Sequence, residues 1–310
     1  HNIQQFINMR SISNSGQIRI WLLSTIIMVI LMILIGGVTR LTDSGLSMVE
    51  WRPLWGFLPP ISQFEWNRVF ELYMKSPEYI FKNKGMSLEE FKEIFFWEYF
   101  HRLWGRLIGI IFIIPLLFFI IVKKIPKSIL SKLFLILFLG GLQGFIGWWM
   151  VKSGLVNDPS VSQYRLTIHL SNALLILSLL IWVYLDVKEG VSQIKPDFSF
   201  FMFSILFITI IAGAFVAGMD AGLMYNEYPF MGDSLIPENY GEYELLDPFE
   251  NPASAQFHHR HLALFTTLCA LFYCYKYYFE SEDKKVKKLS LVISVVVCSQ
   301  FTLGLSLIHI

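Results

Sequence analysis

Charge is scarce in this chain, and it is missing in long unbroken stretches. Only 16% of the 310 residues are Asp, Glu, Lys or Arg, whereas 55% are hydrophobic. Soluble domains carry nearer a quarter charged residues. The deficit argues against a large soluble protein with buried helices. It points to a bilayer, whose apolar core takes about 20 uncharged residues per helix. Five uncharged runs reach that length: Ile20–Thr39, Leu133–Val151, Leu166–Leu185, Phe198–Met219 and Leu289–Ile310. Leu107–Val122 and Leu262–Tyr275 are shorter. Both become long enough if their helices start earlier, among the polar residues at His101 and His259. Seven spans are therefore expected.

Cysteine is nearly absent too. Cys269, Cys274 and Cys298 all fall inside expected spans, so no disulfide can staple an outer loop, and each is read as a small packing residue. The first 18 residues show no signal-peptide pattern. The chain begins at His1 rather than Met, and a short preceding piece is expected. No two histidines lie four residues apart, which excludes an HExxH zinc helix.

Basic residues are missing from one loop altogether. Residues 220–251 hold no Lys or Arg, yet carry Asp220, Glu227, Asp233, Glu238, Glu242, Glu244, Asp247 and Glu250. Arg10 and Arg19 precede the first span. Lys123, Lys124, Lys127 and Lys132 separate the second from the third, and Lys284, Lys285, Lys287 and Lys288 the sixth from the seventh. Positive charge thus alternates with loop parity, which predicts a cytoplasmic N-terminus.

Between Arg40 and Glu98 lies a long loop rich in interfacial Trp and Pro: Trp51, Pro53, Trp55, Pro59, Pro60 and Trp66. Short helices on the outer membrane surface are expected there. Ser87-Leu88-Glu89-Glu90 reads as a capping box. Its helix is predicted to run through Phe91, Phe95 and Tyr99 into the second span.

The chain contains an internal repeat. Asp43-Ser44-Gly45-Leu46 follows the first span, and Asp220-Ala221-Gly222-Leu223 follows the fifth. His101-Arg102 precedes the second apolar run, and His259-Arg260 the sixth. Gln143 follows His101 by 42 residues, and Gln300 follows His259 by 41. The expected fold is an all-α polytopic membrane protein built as two parallel-repeat four-helix bundles. The halves are expected at 1–190 and 191–310. His169 lies 26 residues after Gln143, so its partner would fall near position 326. Eight spans are expected, of which this chain holds seven, with one histidine lacking.

The predicted topology gives His101, His169 and His259 one depth near the outer side. Ionisable residues in spans are costly and usually functional, and imidazole is the usual axial ligand of heme iron. His101 and His169, on two helices of one bundle, could clamp a heme; His259 would be half of a second such pair. Arg40, Arg102, Arg165 and Arg260 sit at the same level and suit heme propionates, because Arg binds carboxylates bidentately. Snorkelling to lipid headgroups is the alternative. Glu98 lies one helical turn before His101, whereas the equivalent residue before His259 is Gln256. A buried carboxyl beside a ligand can exchange protons, so the asymmetry predicts a reactive first site and an electron-carrying or structural second one. His1, His258, His261 and His309 are not expected to be ligands.

Several ordered stretches resemble heme A synthase of the proteobacterial and mitochondrial form. They are Gly36-Gly37-Val38-Thr39-Arg40-Leu41-Thr42-Asp43-Ser44-Gly45-Leu46-Ser47-Met48, Glu98-Tyr99-Phe100-His101-Arg102-Leu103-Trp104-Gly105-Arg106, Gly141-Leu142-Gln143-Gly144 with Met150-Val151-Lys152-Ser153-Gly154-Leu155, and Ser162-Gln163-Tyr164-Arg165 to His169. In the second half they are Ala217-Gly218-Met219-Asp220-Ala221-Gly222-Leu223, Tyr228-Pro229, Met231-Gly232-Asp233, Asn251-Pro252, Gln256-Phe257 and His259-Arg260. The resemblance runs from about residue 36 to the end. It implies an eight-helix enzyme that oxidises a methyl group of heme O to a formyl group, giving heme A for terminal oxidases. On that resemblance His101 and His169 hold the substrate heme with Glu98 near the chemistry, and His259 with a fourth histidine holds heme b and its iron. His258 stands where the family leads one to expect an acidic residue. The implied partners are heme O, an unidentified electron donor, heme O synthase, the cytochrome oxidase assembly machinery and lipid, with homo-oligomers allowed and no nucleic acid. With no Arg-rich transit segment, the bacterial inner membrane is expected, with the mitochondrial inner membrane as alternative. The rival readings are a bis-histidine cytochrome b electron carrier, a non-catalytic heme-binding assembly protein, and a transporter.

Overall fold

The computed structural model describes residues 16–52, 56–156, 159–190 and 197–308. Arg10, Pro53, Trp55 and the histidines at 1 and 309 lie outside them. Among the described residues there are seven helices long and apolar enough to cross a membrane. They are α1 (Gly16–Leu41), α4 (Leu88–Ile121), α5 (Lys127–Gly154), α6 (Gln163–Glu189), α7 (Phe198–Gly218), α9 (Pro252–Glu280) and α10 (Lys284–Ile308). Short helices α2 (Gln63–Tyr73), α3 (Pro77–Phe81) and α8 (Asp247–Glu250) lie in the loops. No strand occurs among these residues. The protein is an all-α, multi-pass membrane protein. Large apolar side chains such as Ile20, Leu34, Phe138 and Val295 are exposed along the spans, as expected for surfaces whose solvent is lipid.

The helices begin where local chemistry satisfies their first N–H groups. Ser87 caps α4: its hydroxyl accepts from Glu90 N at 3.3 Å, and Glu90 Oε2 accepts from Ser87 N at 2.7 Å. Asp197 accepts from Ser199 N and Phe200 N at the start of α7. Asn251 accepts from Ala253 N at the start of α9, with Pro252 in the first turn.

α4 is 34 residues long, or roughly 50 Å at 1.5 Å per residue, well beyond a ~30 Å hydrocarbon core. His101 lies 13 residues after its first residue, His169 six after the start of α6, and His259 seven after the start of α9. None of the three opens its helix. The uncharged runs mark only the part of each helix that lipid can surround. The helix itself continues outward wherever caps and packing support it.

The extension of α4 packs against a lobe formed by α2 and α3. Tyr73 of α2 and Phe91 and Phe95 of α4 form a separate buried aromatic cluster. Glu78 of α3 is inside it, accepting from the Tyr73 hydroxyl at 2.9 Å, while Asn83 donates to that hydroxyl at 2.7 Å. Burial pushes the Glu78 carboxyl up to about 7 from 4.5. The folded lobe therefore holds a proton that the unfolded chain gives up above pH 4.5. The resulting stabilisation is complete below pH 4.5 and is lost as pH rises through about 7. Hydrogen exchange of residues 63–95 is expected to quicken between pH 5 and 8, by up to about 3 kcal/mol of opening free energy. Glu78→Gln should flatten that dependence; an unchanged profile in the variant would assign the pH effect to another group.

The chain divides into two compact units, His1–Gln193 and Ile194–Ile310. In the first, α1 packs on α4 and α6, and α5 packs on α6. Ile18, Leu22, Leu116, Ile129, Leu133, Leu180, Val183 and Val187 are the buried centre of this unit. At one end Lys132 of α5 pairs with fully buried Asp186 of α6 at 2.6 Å and lies 3.8 Å from the Trp182 ring centre. In the second unit α9 packs on α7 and α10.

Both units repeat one detail. Asp43 just after α1 has φ +47°, and Asp220 just after α7 has φ +54°. Among residues with a Cβ, Asp and Asn tolerate this left-handed region best. That conformation turns each chain back over the helix that carries the next histidine.

Candidate functional site

The turn after α1 is held on α4 by Glu98. Its side chain is 3% exposed. The Ser47 hydroxyl and the Met48 backbone N–H both donate to Oε2, each at 2.6 Å. Arg102 Nη2, one turn along, donates to Oε1 at 2.5 Å and to the Met48 carbonyl at 3.1 Å. Its guanidinium also lies over the Trp51 ring, 5.3 Å from the centroid. The carboxylate is thus an anchor with donors on both oxygens. It ties the turn, helix α4 and Arg102 into one body next to His101.

The equivalent site in the second unit has the same layout with opposite polarity. Gln256 Nε2 donates to the carbonyls of Gly222 (3.0 Å) and Tyr225 (3.3 Å). Arg260 donates to the carbonyls of Tyr225 (2.6 Å), Glu227 (2.8 Å) and Phe230 (3.3 Å). Met48 and Tyr225 each stand five residues after their turn's aspartate. The first turn presents N–H and O–H groups to position 98, so an acceptor suits it. The second presents carbonyls to position 256, so an amide suits it.

His101 of α4 and His169 of α6 both lie in the first unit, each half-buried. Their surroundings differ. Gln143 of α5 donates toward the His169 ring, with Nε2 3.2 Å from Nδ1 and 3.3 Å from the ring Nε2, and to the His169 carbonyl at 3.0 Å. Asn172 Nδ2 donates to Gln143 Oε1 at 2.7 Å, so the Gln143 amide must turn its NH₂ to the histidine. The His101 ring has no hydrogen-bond partner among the described residues. In the second unit the His259 Nδ1 lies 3.2 Å from the Thr209 carbonyl. A carbonyl only accepts, so Nδ1 carries the proton and the Nε2 lone pair is left for a ligand. Thr209 is itself tied to Thr266 of α9 by a 2.6 Å hydroxyl contact.

The other candidates are placed as follows. Arg40 Nη1 meets Asp43 at 3.2 Å in an exposed pair. Arg165 Nη1 donates to the Trp149 carbonyl at 2.7 Å, with its guanidinium 4.4 Å from that ring centre. Arg40, Arg102, Arg165 and Arg260 all have protein acceptors. Each guanidinium has five N–H groups, and it is the remaining ones that would meet a propionate. His258 Nε2 lies 3.3 Å from the Tyr240 hydroxyl, and His261 Nδ1 2.8 Å from the Phe257 carbonyl. Neither shares the Thr209 contact of His259.

Sequence reasoning treated Gln143 only as a repeat marker. It missed Asn172, Ser47, Thr209 and Thr266. The only signal for the first was its place three residues after His169, one turn along the same face.

Among the described residues no three His, Cys, Asp or Glu side chains could hold a metal ion alone. Heme iron makes no such demand, because the macrocycle supplies four nitrogens and the protein only the axial ones. Imidazoles in an apolar unit, with no hydrogen bond to the His101 ring and none to His259 Nε2 among the described residues, fit that requirement.

Residues 19–310 match the family model COX15-CtaA, described as cytochrome oxidase assembly protein. The chain is 44% identical over 293 residues to the heme A synthase of Granulibacter bethesdensis, covering 92% of this chain and 78% of that protein. It is 43% identical over 302 residues to the heme A synthase of Nitrosospira multiformis (93% and 84% covered). It is 41% identical over 293 residues to that of Pelagibacter ubique (93% and 86%). No solved structure matches.

Proposed function

The chain belongs to the COX15-CtaA family of cytochrome oxidase assembly proteins, and we propose that, as an enzyme of heme A synthesis, it oxidises the methyl group of heme O to the formyl group of heme A. The carrying observation is the placement of His101 and His169 in one unit with Glu98 anchored a turn before His101. The two imidazoles hold the substrate's iron. The Glu98–Arg102–Ser47 body keeps the turn in a fixed position beside His101. Three donors fill three of the roughly four acceptor positions of the Glu98 carboxylate, and proton exchange at Glu98 uses the remaining one, on Oε1. Arg40, Arg102 and Arg165 meet the propionates through their remaining N–H groups.

In the second unit His259, with Nδ1 held by Thr209, ligates heme b; Arg260 serves its propionates. When bound, that heme supplies one-electron transfer to the first site. The protein's part is to hold and orient the macrocycles and exclude competing reactions. On this account the chain lies in the bacterial inner membrane with a cytoplasmic N-terminus. It receives heme O from heme O synthase and electrons from a separate donor.

The test is to extract pigments from membranes that make the full-length protein together with heme O. Heme A identified by mass supports the assignment. Heme O or B recovered unchanged would make the protein a binder, and absence of heme would make it a transporter.

The hydrogen bonds to His169 yield a further prediction. Gln143→Leu removes the only side-chain donor to that ring among the described residues. Heme A yield is expected to fall about tenfold, the scale of a modest misplacement of a reacting group, with heme still bound. A yield equal to wild type would show that Gln143 does not orient the ligand.

A further inference from the structure

Each of the three candidate ligands lays its ring against a glycine of the neighbouring helix. Gly36 of α1 faces His101 of α4, Gly147 of α5 faces His169 of α6, and Gly213 of α7 faces His259 of α9. A Cβ added at Gly36 would lie 3.3 Å from His101 Nε2 and 3.6 Å from Cδ2. At Gly147 it would lie 3.1 Å from His169 Cε1 and 3.6 Å from Nδ1. At Gly213 it would lie 2.8 Å from His259 Cε1 and 3.3 Å from both ring nitrogens. Carbon contacts settle near 3.5–4.0 Å. A methyl at Gly213 must therefore displace the ring, and at Gly147 and Gly36 the ring must give by a few tenths of an ångström.

The repeat makes these contacts more than chance. Gly36 stands seven residues before Asp43, and Gly213 seven before Asp220. Other glycines on the same helices behave differently: a Cβ at Gly37 or Gly144 would meet nothing within 4 Å. Glycine inside a helix is unfavourable relative to alanine, so its presence under each ring calls for a local reason.

We propose that Gly36, Gly147 and Gly213 are positioning residues that seat the imidazoles of His101, His169 and His259 in the plane needed to ligate heme iron. Backbone against one side of the ring removes the rotamers that point the ligating nitrogen elsewhere. The proposal rests on the reading of those histidines as heme ligands.

The test uses the full-length protein purified from membranes supplied with heme B and heme O. Gly36→Ala, Gly147→Ala and Gly213→Ala are compared with Gly37→Ala and Gly144→Ala. The readouts are helix content by circular dichroism, the low-spin heme spectrum and the ratio of heme A to heme O. Gly213→Ala is expected to shift the spectrum of the resident heme and lower its occupancy. Gly147→Ala and Gly36→Ala are expected to lower the heme A ratio by about 10- to 100-fold, Gly147→Ala more strongly, with the resident heme spectrum unchanged. The two controls should match wild type. Wild-type spectra and ratios in the three variants would overturn the proposal. So would loss of all three proteins while both controls accumulate, since glycine would then serve helix packing alone. If only Gly213→Ala fails to accumulate, the looser Gly147 and Gly36 sites decide. His259→Ala, run in parallel, separates the two readings. An unchanged heme spectrum there removes the ligand assignment itself. A changed spectrum there with an unchanged Gly213→Ala removes only the role of the glycine.

Discussion

His101→Ala is expected to abolish conversion of heme O to heme A, a loss of at least about 100-fold, while the second-unit heme stays bound. The His101 ring lies in the same unit as His169 and is the member of that pair with no hydrogen bond to the protein among the described residues. Among the described residues of the first unit His101 and His169 are the only histidines, and His258 and His261 already meet the Tyr240 hydroxyl and the Phe257 carbonyl. On the proposed assignment, alanine at position 101 would remove one of the two imidazoles that would hold the substrate heme. Misplacement by about 1 Å already costs on the order of 100-fold in rate, and loss of a ligand costs more. The measurement is the mass-resolved pigment extract, with His258→Ala as a control expected to retain product. Normal heme A yield from His101→Ala would sink the assignment of the first unit as the substrate site.

Glu98→Gln should retain heme and lose most product. In the second unit a glutamine fills the equivalent position, so the change might be thought neutral. The hydrogen bonds say otherwise. Position 98 faces three donors, from Ser47, Met48 and Arg102, and a glutamine offers one acceptor oxygen where they need two. It also leaves Arg102, whose side chain is 11% exposed, without its anion. Breaking a buried pair from one side costs about 3–5 kcal/mol. The 43–48 turn should loosen, detectable as faster hydrogen exchange there, and heme A yield should fall about 10- to 100-fold. Heme content near wild type separates this from unfolding. Full activity would remove Glu98 from the mechanism, and intact exchange protection would remove it as the anchor of the turn.

Much of the architecture could be read without coordinates. The seven spans, the capping box at Ser87 and Glu90, and the short helices of the outer loop follow from hydropathy and local pattern, and all are present. The repeat markers Asp43 and Asp220 share an unusual backbone conformation, as duplicated turns should. The start of α4 at Leu88 rather than near Leu107 was legible only through the capping box, because charge-free length measures what lipid surrounds and not where a helix begins. The orienting groups Asn172 and Thr209 were not legible. A lone Asn or Thr on an apolar helix has no pattern that reports its partner.

The sequence by itself determined the class of protein, the number of spans in this stretch, the histidines worth testing and the family resemblance. These properties are sums over neighbouring residues or matches along the chain. Only the tertiary structure decided how each polar group is used: that Glu98 faces donors and Gln256 faces carbonyls, that Gln143 serves His169, and that a glycine lies under each of the three rings. Such contacts depend on how far each helix is rotated about its axis and how closely it approaches its neighbour. Packing of whole faces sets both quantities, and no local run of residues records them.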